Sequence, residues 1–148
     1  MKGDPLPDSN HIARYCKPTQ APNGQIQATA FMLRSGEESL SVNWFECLNC
    51  SSREHEISEI RNIYTSTFRR VGANAKIAVL NVGEVRGKVL KESEDRRNLE
   101  ILHDPKEDEP SDPSHSGIYN LKPHDELIAE LILETVLETY AARKYPQE

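Results

Sequence analysis

Apolar side chains recur along the chain with two different periods, and the periods predict its elements. In Leu40-Ser41-Val42-Asn43-Trp44-Phe45-Glu46, the side chains of Leu40, Val42 and Trp44 alternate with those of Ser41, Asn43 and Phe45. A period of two is that of a strand with one face buried, because successive side chains of a strand point to opposite faces. This segment carries the only tryptophan, an apolar anchor whose indole N–H needs an acceptor when buried. Further on, Ile57, Ile60, Ile63, Tyr64, Phe68 and Val71 recur at three- and four-residue spacing, which predicts a helix over 53–71. Ser51-Ser52-Arg53-Glu54 reads as its capping box. Glu54, Glu56 and Glu59 near its start and Arg69 and Arg70 near its end suit the helix dipole, and Gly72 suits a stop.

The stretch 76–82 is a nearly continuous apolar run broken by Asn81, as in a strand covered on both faces. A weaker strand is expected over Val85–Leu90 and a short one over Leu99–Leu102. Ala28–Arg34 can extend as a strand, joined through Ser35-Gly36-Glu37-Glu38 to Leu40–Glu46 as an antiparallel hairpin. Residues 1–27 hold Pro5, Pro7, Pro18, Pro22 and the turn signal Asn23-Gly24, so regular structure is expected there only around Ile12–Tyr15. Residues 103–117, acidic and rich in proline, read as a solvated loop. The last helix is expected from about Pro123 to Arg143. Leu127, Ile128, Leu131, Ile132, Val136 and Tyr140 would form its apolar side. Glu126, Glu130, Glu134 and Glu138 would form an i,i+4 stripe without basic partners, costing roughly a few tenths of a kcal/mol per like pair. These elements predict an α+β fold in one domain, with a four- to five-stranded antiparallel or mixed sheet covered by two helices. The strand at 76–82 would be central and Leu40–Glu46 its neighbour.

Composition narrows the functional classes. Apolar residues make up 36% and charged residues 28% of the 148, so the core is expected to occupy part of the chain. The net charge of −6 argues against a general nucleic-acid or membrane-surface binder, because phosphates need a basic face. The charge is unevenly divided. From His103 to Glu138 there are ten acidic and two basic residues, whereas before Glu37 there are four basic and two acidic. No apolar run is long enough to span a bilayer, Met1-Lys2-Gly3-Asp4-Pro5 does not read as a signal peptide, and three cysteines form no even disulfide framework. A reducing cytoplasm is the expected location.

Four groups of residues carry candidate chemistry. Cys47-x-x-Cys50 lies between a strand and a helix, where the dipole would lower a thiol pKa. Over Leu40–Val82 the order of tryptophan-bearing strand, Cys-x-x-Cys, helix and apolar strand is similar to the middle of thioredoxin-like domains. The helix that fold needs beforehand and the proline-led strand it needs afterwards have no counterpart in the sequence. The same cysteines could instead bind zinc, with His11 and Cys16 completing a His-Cys₃ set. A third group comprises His11, Arg14 and Tyr15 in the run His11–Cys16, and His115 in Ser114-His115-Ser116. If these runs pack together, His11 and His115 could share a cleft with Arg14, Trp44 and Glu46. Such a cleft would permit general acid–base hydrolysis or phosphodiester cleavage. The fourth is the glutamate stripe, which reads as a solvated face or as a docking surface for a basic partner.

Leu6-Pro7-Asp8, the run from His11 to Pro18, and Leu40–Glu46 together resemble the start of a family of small bacterial proteins without assigned function. Such proteins occur near defence or accessory genes, CRISPR-associated loci included. The resemblance implies no activity and no catalytic residue. The charge division along the chain, the long acidic loop and helix, and the lack of a complete catalytic motif make the first expectation a non-enzymatic accessory protein that binds a protein partner through acidic and apolar surface. The second is a small hydrolase or nuclease using His11, Arg14 and His115, and the third a zinc or thiol-redox protein. The wide apolar side of the last helix would also serve a homo-oligomer.

Overall fold

The computed structural model describes residues 3–143 of the chain. Among these residues the protein is α+β, with six strands and three α-helices. The strands are β1 (His11–Cys16), β2 (Leu40–Trp44), β3 (Lys76–Asn81), β4 (Glu100–His103), β5 (His115–Tyr119) and β6 (Glu138–Ala141). They form one open sheet in the order β4-β5-β2-β1-β3-β6, and every neighbouring pair is antiparallel. The helices are α1 (Arg53–Thr67), α2 (Val82–Glu92) and α3 (Glu126–Leu133). The sheet thus has one strand more, and the fold one helix more, than the apolar pattern predicts.

Two apolar clusters flank the sheet. On one face Ile12 and Cys16 of β1, Leu40 and Val42 of β2, and Ala78 and Leu80 of β3 pack with Val85 and Val89 of α2 and Ile128 and Ile132 of α3. On the other, Ala13, Ile77 and Val79 pack with Ile57, Ile60 and Tyr64 of α1, and with Phe45. Burying each large apolar side chain contributes roughly 1.5–3 kcal/mol. β3 is buried on both faces, as its unbroken apolar run requires, but its neighbours are β1 and β6. β1 comes between β3 and β2 because Ile12 and Ala13 offer one small or branched apolar residue to each face.

Several boundaries differ from the pattern for local reasons. Ser52 rather than Ser51 caps α1, its hydroxyl accepting from His55 N at 3.1 Å, worth about 1 kcal/mol. The helix stops at Thr67, and Phe68 turns to stack on Tyr15 with ring centroids 4.5 Å apart. Val85–Leu90 is helical. Asn81 caps α2 by accepting from Glu84 N, and Val82, Val85 and Val89 bury at helical spacing. Packing here overrides the strand preference of valine. Ala28–Phe31 is a 3₁₀ turn with Ala30 and Phe31 buried, so β2 pairs with β1 and β5 instead of a hairpin partner.

The last helix is also shorter than expected. Thr135 Oγ1 donates to Ile132 O at 2.7 Å, the chain leaves α3, and β6 pairs with β3 along Lys76–Val79. The edge of β3 needs partners for its backbone groups, and Thr139 and Tyr140 are good strand formers. Glu126, Glu130, Glu134 and Glu138 therefore do not make one stripe. Glu134 follows the helix and pairs with Lys88, while Glu138 lies in β6 and pairs with Arg53. Trp44 is partly buried, its indole N–H donating to Asn10 Oδ1 at 2.8 Å, and the fully buried aromatic at that end of β2 is Phe45. No helix among the described residues is long and apolar enough to cross a membrane.

Candidate active-site cleft

The cleft begins where β1 and β2 part. They pair only at Ile12↔Trp44 and Ala13↔Asn43, whereas β1 stays paired with β3 as far as Cys16. Continuing the register would set Tyr15 against Ser41, and that pair is not formed. Arg14 occupies the opening. Its Nε donates to Ala30 O at 2.8 Å and its Nη1 to Ser41 O at 2.9 Å, so the guanidinium satisfies one carbonyl of β2 and one of the 3₁₀ turn 28–31. Burial lowers the pKa of this guanidinium, and the neighbouring Cys16, Tyr64 and Glu37 oppose the shift.

On the same side of the sheet as α1, β2 and β5 present polar residues. Asn43 lies opposite His115, and Ser41 opposite Gly117. Gly117 leaves room for its neighbours, since a Cβ there would stand 2.7 Å from Ser39 Oγ and 2.9 Å from Tyr119 Cε1 and one of these side chains would have to shift. α1 packs over β1 and β3, leaving these polar positions to the loop 104–114. That loop buries Asp112, which is 4% exposed. Its carboxylate accepts from Asn43 Nδ2 at 2.7 Å and from Ser114 Oγ and N at 2.9 and 3.2 Å. Three donors offset the desolvation of this charge.

His115 is 8% exposed, and its two ring nitrogens have different partners. Nδ1 lies 2.8 Å from Asp104 O, and Nε2 lies 3.2 Å from Ser41 Oγ. A carbonyl oxygen can only accept, so Nδ1 carries a proton. In the neutral ring Nε2 then offers its lone pair to the Ser41 hydroxyl. The Asp104 carboxylate stands 4.0 Å from Nδ1 and accepts from Tyr119 OH at 3.2 Å. A hydroxyl, an imidazole in the accepting tautomer and an acceptor holding that tautomer are the parts of an activated serine.

Arg14, Ser41, Asn43, Tyr64, Asp112 and His115 line one cleft of about 180 Å³. Tyr15, Ile63 and Phe68 form an apolar wall, and Lys17, Arg34 and Lys106 bring further positive charge. Two carboxylates, Glu37 and Asp112, face four cations there, and Glu37 is paired with Arg34 at 3.2 Å. Tyr64, 3% exposed, has a hydroxyl with no hydrogen-bond partner among the described residues.

The residues singled out in the sequence are thus divided. Arg14, Tyr15 and His115 line the cleft; His11, Trp44 and Glu46 do not. Glu46 holds His11 instead, accepting from its backbone N at 2.7 Å and meeting Nδ1 at 2.8 Å. Cys16 lies five residues from His11 along β1, about 16 Å at strand rise, in the apolar cluster beneath α2 and α3. Cys47 and Cys50 follow the turn after Phe45, whose N–H donates to His11 O. The four residues considered for zinc are not brought together, and no group of three or more His, Cys, Asp or Glu able to hold a metal occurs among the described residues. The thiols shift opposite to a helix-terminal thiolate. Burial pushes Cys16 up to about 11. Burial and Asp112 raise Cys47; desolvation, Glu59 and Glu56 raise Cys50.

Ser41, Asn43, Tyr64, Asp104 and Asp112 are absent from the candidates read in the sequence. Their one visible signal is Ser41 and Asn43, two polar residues alternating along a strand that proves to be internal. No protein-family model matches the chain, and neither a curated protein nor a solved structure matches it. The class it defines is therefore an α+β protein with an open, wholly antiparallel six-stranded sheet and a polar cleft at the fork between two of its strands.

Proposed function

We propose that the protein is a small hydrolase that cleaves small ester-type substrates with Ser41 and His115. The observation that carries this reading is the Ser41 Oγ to His115 Nε2 contact of 3.2 Å, with Nδ1 fixed on Asp104 O. His115 takes the Ser41 proton as Oγ attacks the substrate carbonyl carbon. Lys106, lining the cleft, supplies positive charge for the oxygen that becomes negative. The bond to the leaving oxygen breaks, and that oxygen receives the proton from His115. Water then attacks the acyl-serine, giving its proton to His115. As the acyl–Oγ bond breaks, the proton returns to Ser41, and the products are an acid and an alcohol. Arg14 positions the nucleophile through the Ser41 carbonyl. Hydrolysis of short-chain chromogenic aryl esters tests the reading. Turnover by the wild type that falls to the buffer rate in Ser41→Ala supports it, and no turnover by the wild type contradicts it.

A second reading, a partner-binding accessory protein, draws on a different surface. Leu127 is 67% exposed and Leu137 54%, and Leu127 and Leu131 share a groove of about 570 Å³ with Glu92, Glu94, Asp95 and Glu130. Apolar anchors ringed by carboxylates suit a basic amphipathic segment. Binding of such a peptide at low salt, lost in Leu127→Glu, supports this reading; equal binding by that variant contradicts it.

A further inference from the structure

We infer that the cleft selects substrates bearing a small anionic group, a carboxylate or a phosphate, seated on the Tyr64 hydroxyl and the Arg14 guanidinium. The inference rests on the hydrolase reading for the reaction, but the seat is defined by binding alone. Tyr64 is buried beneath the cleft wall, and its hydroxyl finds no partner among the described residues. Buried polar groups are nearly always paired, and an orphan that lines a cavity marks where an absent partner belongs. Burial raises the pKa of this phenol far above the usual tyrosine value, so the group remains a donor. Arg14 commits Nε and Nη1 to the Ala30 and Ser41 carbonyls, which hold its positive charge in the lining of the same cleft.

The unmet Tyr64 hydroxyl can donate, the guanidinium lining the same cleft is a donor only and carries positive charge, and an acceptor-rich anionic ligand complements the pair. Charge points the same way. Four cations and two carboxylates line the cleft of a chain whose net charge is −6. Size limits the rest of the ligand. The cleft of about 180 Å³ is close to a cavity that accommodates one benzene ring, roughly 150 Å³. Its wall of Tyr15, Ile63 and Phe68 suits an aryl or short alkyl body.

The test measures binding separately from turnover. Ser41→Ala protein, which keeps the Ser41 carbonyl for Arg14, is titrated calorimetrically with benzoate, phenyl phosphate and the neutral isostere benzamide. The expected result is that one of the two anions binds at least tenfold more tightly than benzamide, and which anion wins identifies the group. Tyr64→Phe in the same background should weaken that anion tenfold or more, as loss of a hydrogen bond to a charge does, while leaving the circular dichroism spectrum unchanged. Equal affinity for benzamide, an unchanged anion affinity in the Tyr64→Phe protein, or no anion binding would each overturn the seat. Neutral esters hydrolysed with no anion preference would remove the seat and leave the hydrolase. Anion binding with no ester turnover by the wild type would do the reverse.

Discussion

On one face of the sheet, Ile12, Val42 and Leu80 meet α2 and α3 in a continuous apolar cluster; on the other, α1 covers only part of the strands and Ser41, Asn43 and His115 remain outside it. The first face is closed by shape alone. The second is closed by hydrogen bonds, since the loop 104–114 reaches over it and ties Asp112 to Asn43 and Ser114. The comparison shows how a small chain separates stability from chemistry. Most large apolar residues face α2 and α3, and polar groups are concentrated where the strands fork. Where the strands fork, Arg14 holds the Ser41 carbonyl and, through Nε, the Ala30 carbonyl of the 3₁₀ turn 28–31, and is thereby fixed beside the serine.

Substitutions on the two faces should therefore separate. The largest effect is expected at the polar face. His115→Gln should lower ester turnover about 10²–10⁴-fold, the range for general acid–base groups, with little change in melting temperature; turnover assays and calorimetry on one preparation check both. Next in size is Leu80→Ala on the apolar face. Leu80 is fully buried, and the cavity should cost about 2–5 kcal/mol in chemical denaturation while kcat of the folded fraction stays near the wild-type value. A smaller effect of opposite sign is expected for Tyr64→Phe. Removing an unpaired buried hydroxyl should stabilise the ligand-free protein by about 1 kcal/mol, raising Tm by about 2–4 °C, and should remove the extra stabilisation given by an anionic ligand. The smallest is Leu127→Glu. This side chain is exposed, so stability should change by no more than about 0.5 kcal/mol, and any change in peptide binding reports the groove rather than the fold.

Elements with strong periodicity were readable from the sequence. The helix at α1 and the strand at β3 follow directly from where Ile57, Ile60 and Tyr64, and Ile77 to Leu80, are placed. Where local preference and packing disagree, the sequence misleads. Val85 and Val89 favour strands, yet the Asn81 cap and the apolar face of α2 make them helical. The helical pattern runs on through Val136 and Tyr140, yet the chain leaves the helix and Glu138–Ala141 pair as a strand with the open edge of β3. The site was half legible. Arg14 and His115 stood out by residue type and do line one cleft. Ser41 and Tyr64 did not, because their importance comes from the order β5-β2-β1 and from a hydroxyl left without a partner. His11 drew attention for the same chemical reasons as His115, but the turn after Phe45 gives it to Glu46.

The claim on which the rest depends is that His115 makes Ser41 a nucleophile. Intact and peptide mass spectrometry after treatment with a fluorophosphonate, which phosphonylates activated serines and releases fluoride, measures this most directly. A single adduct mapped to the peptide carrying Ser41, absent in Ser41→Ala and strongly slowed in His115→Gln, is the expected result. An unmodified Ser41, or labelling at the same rate without His115, would contradict it.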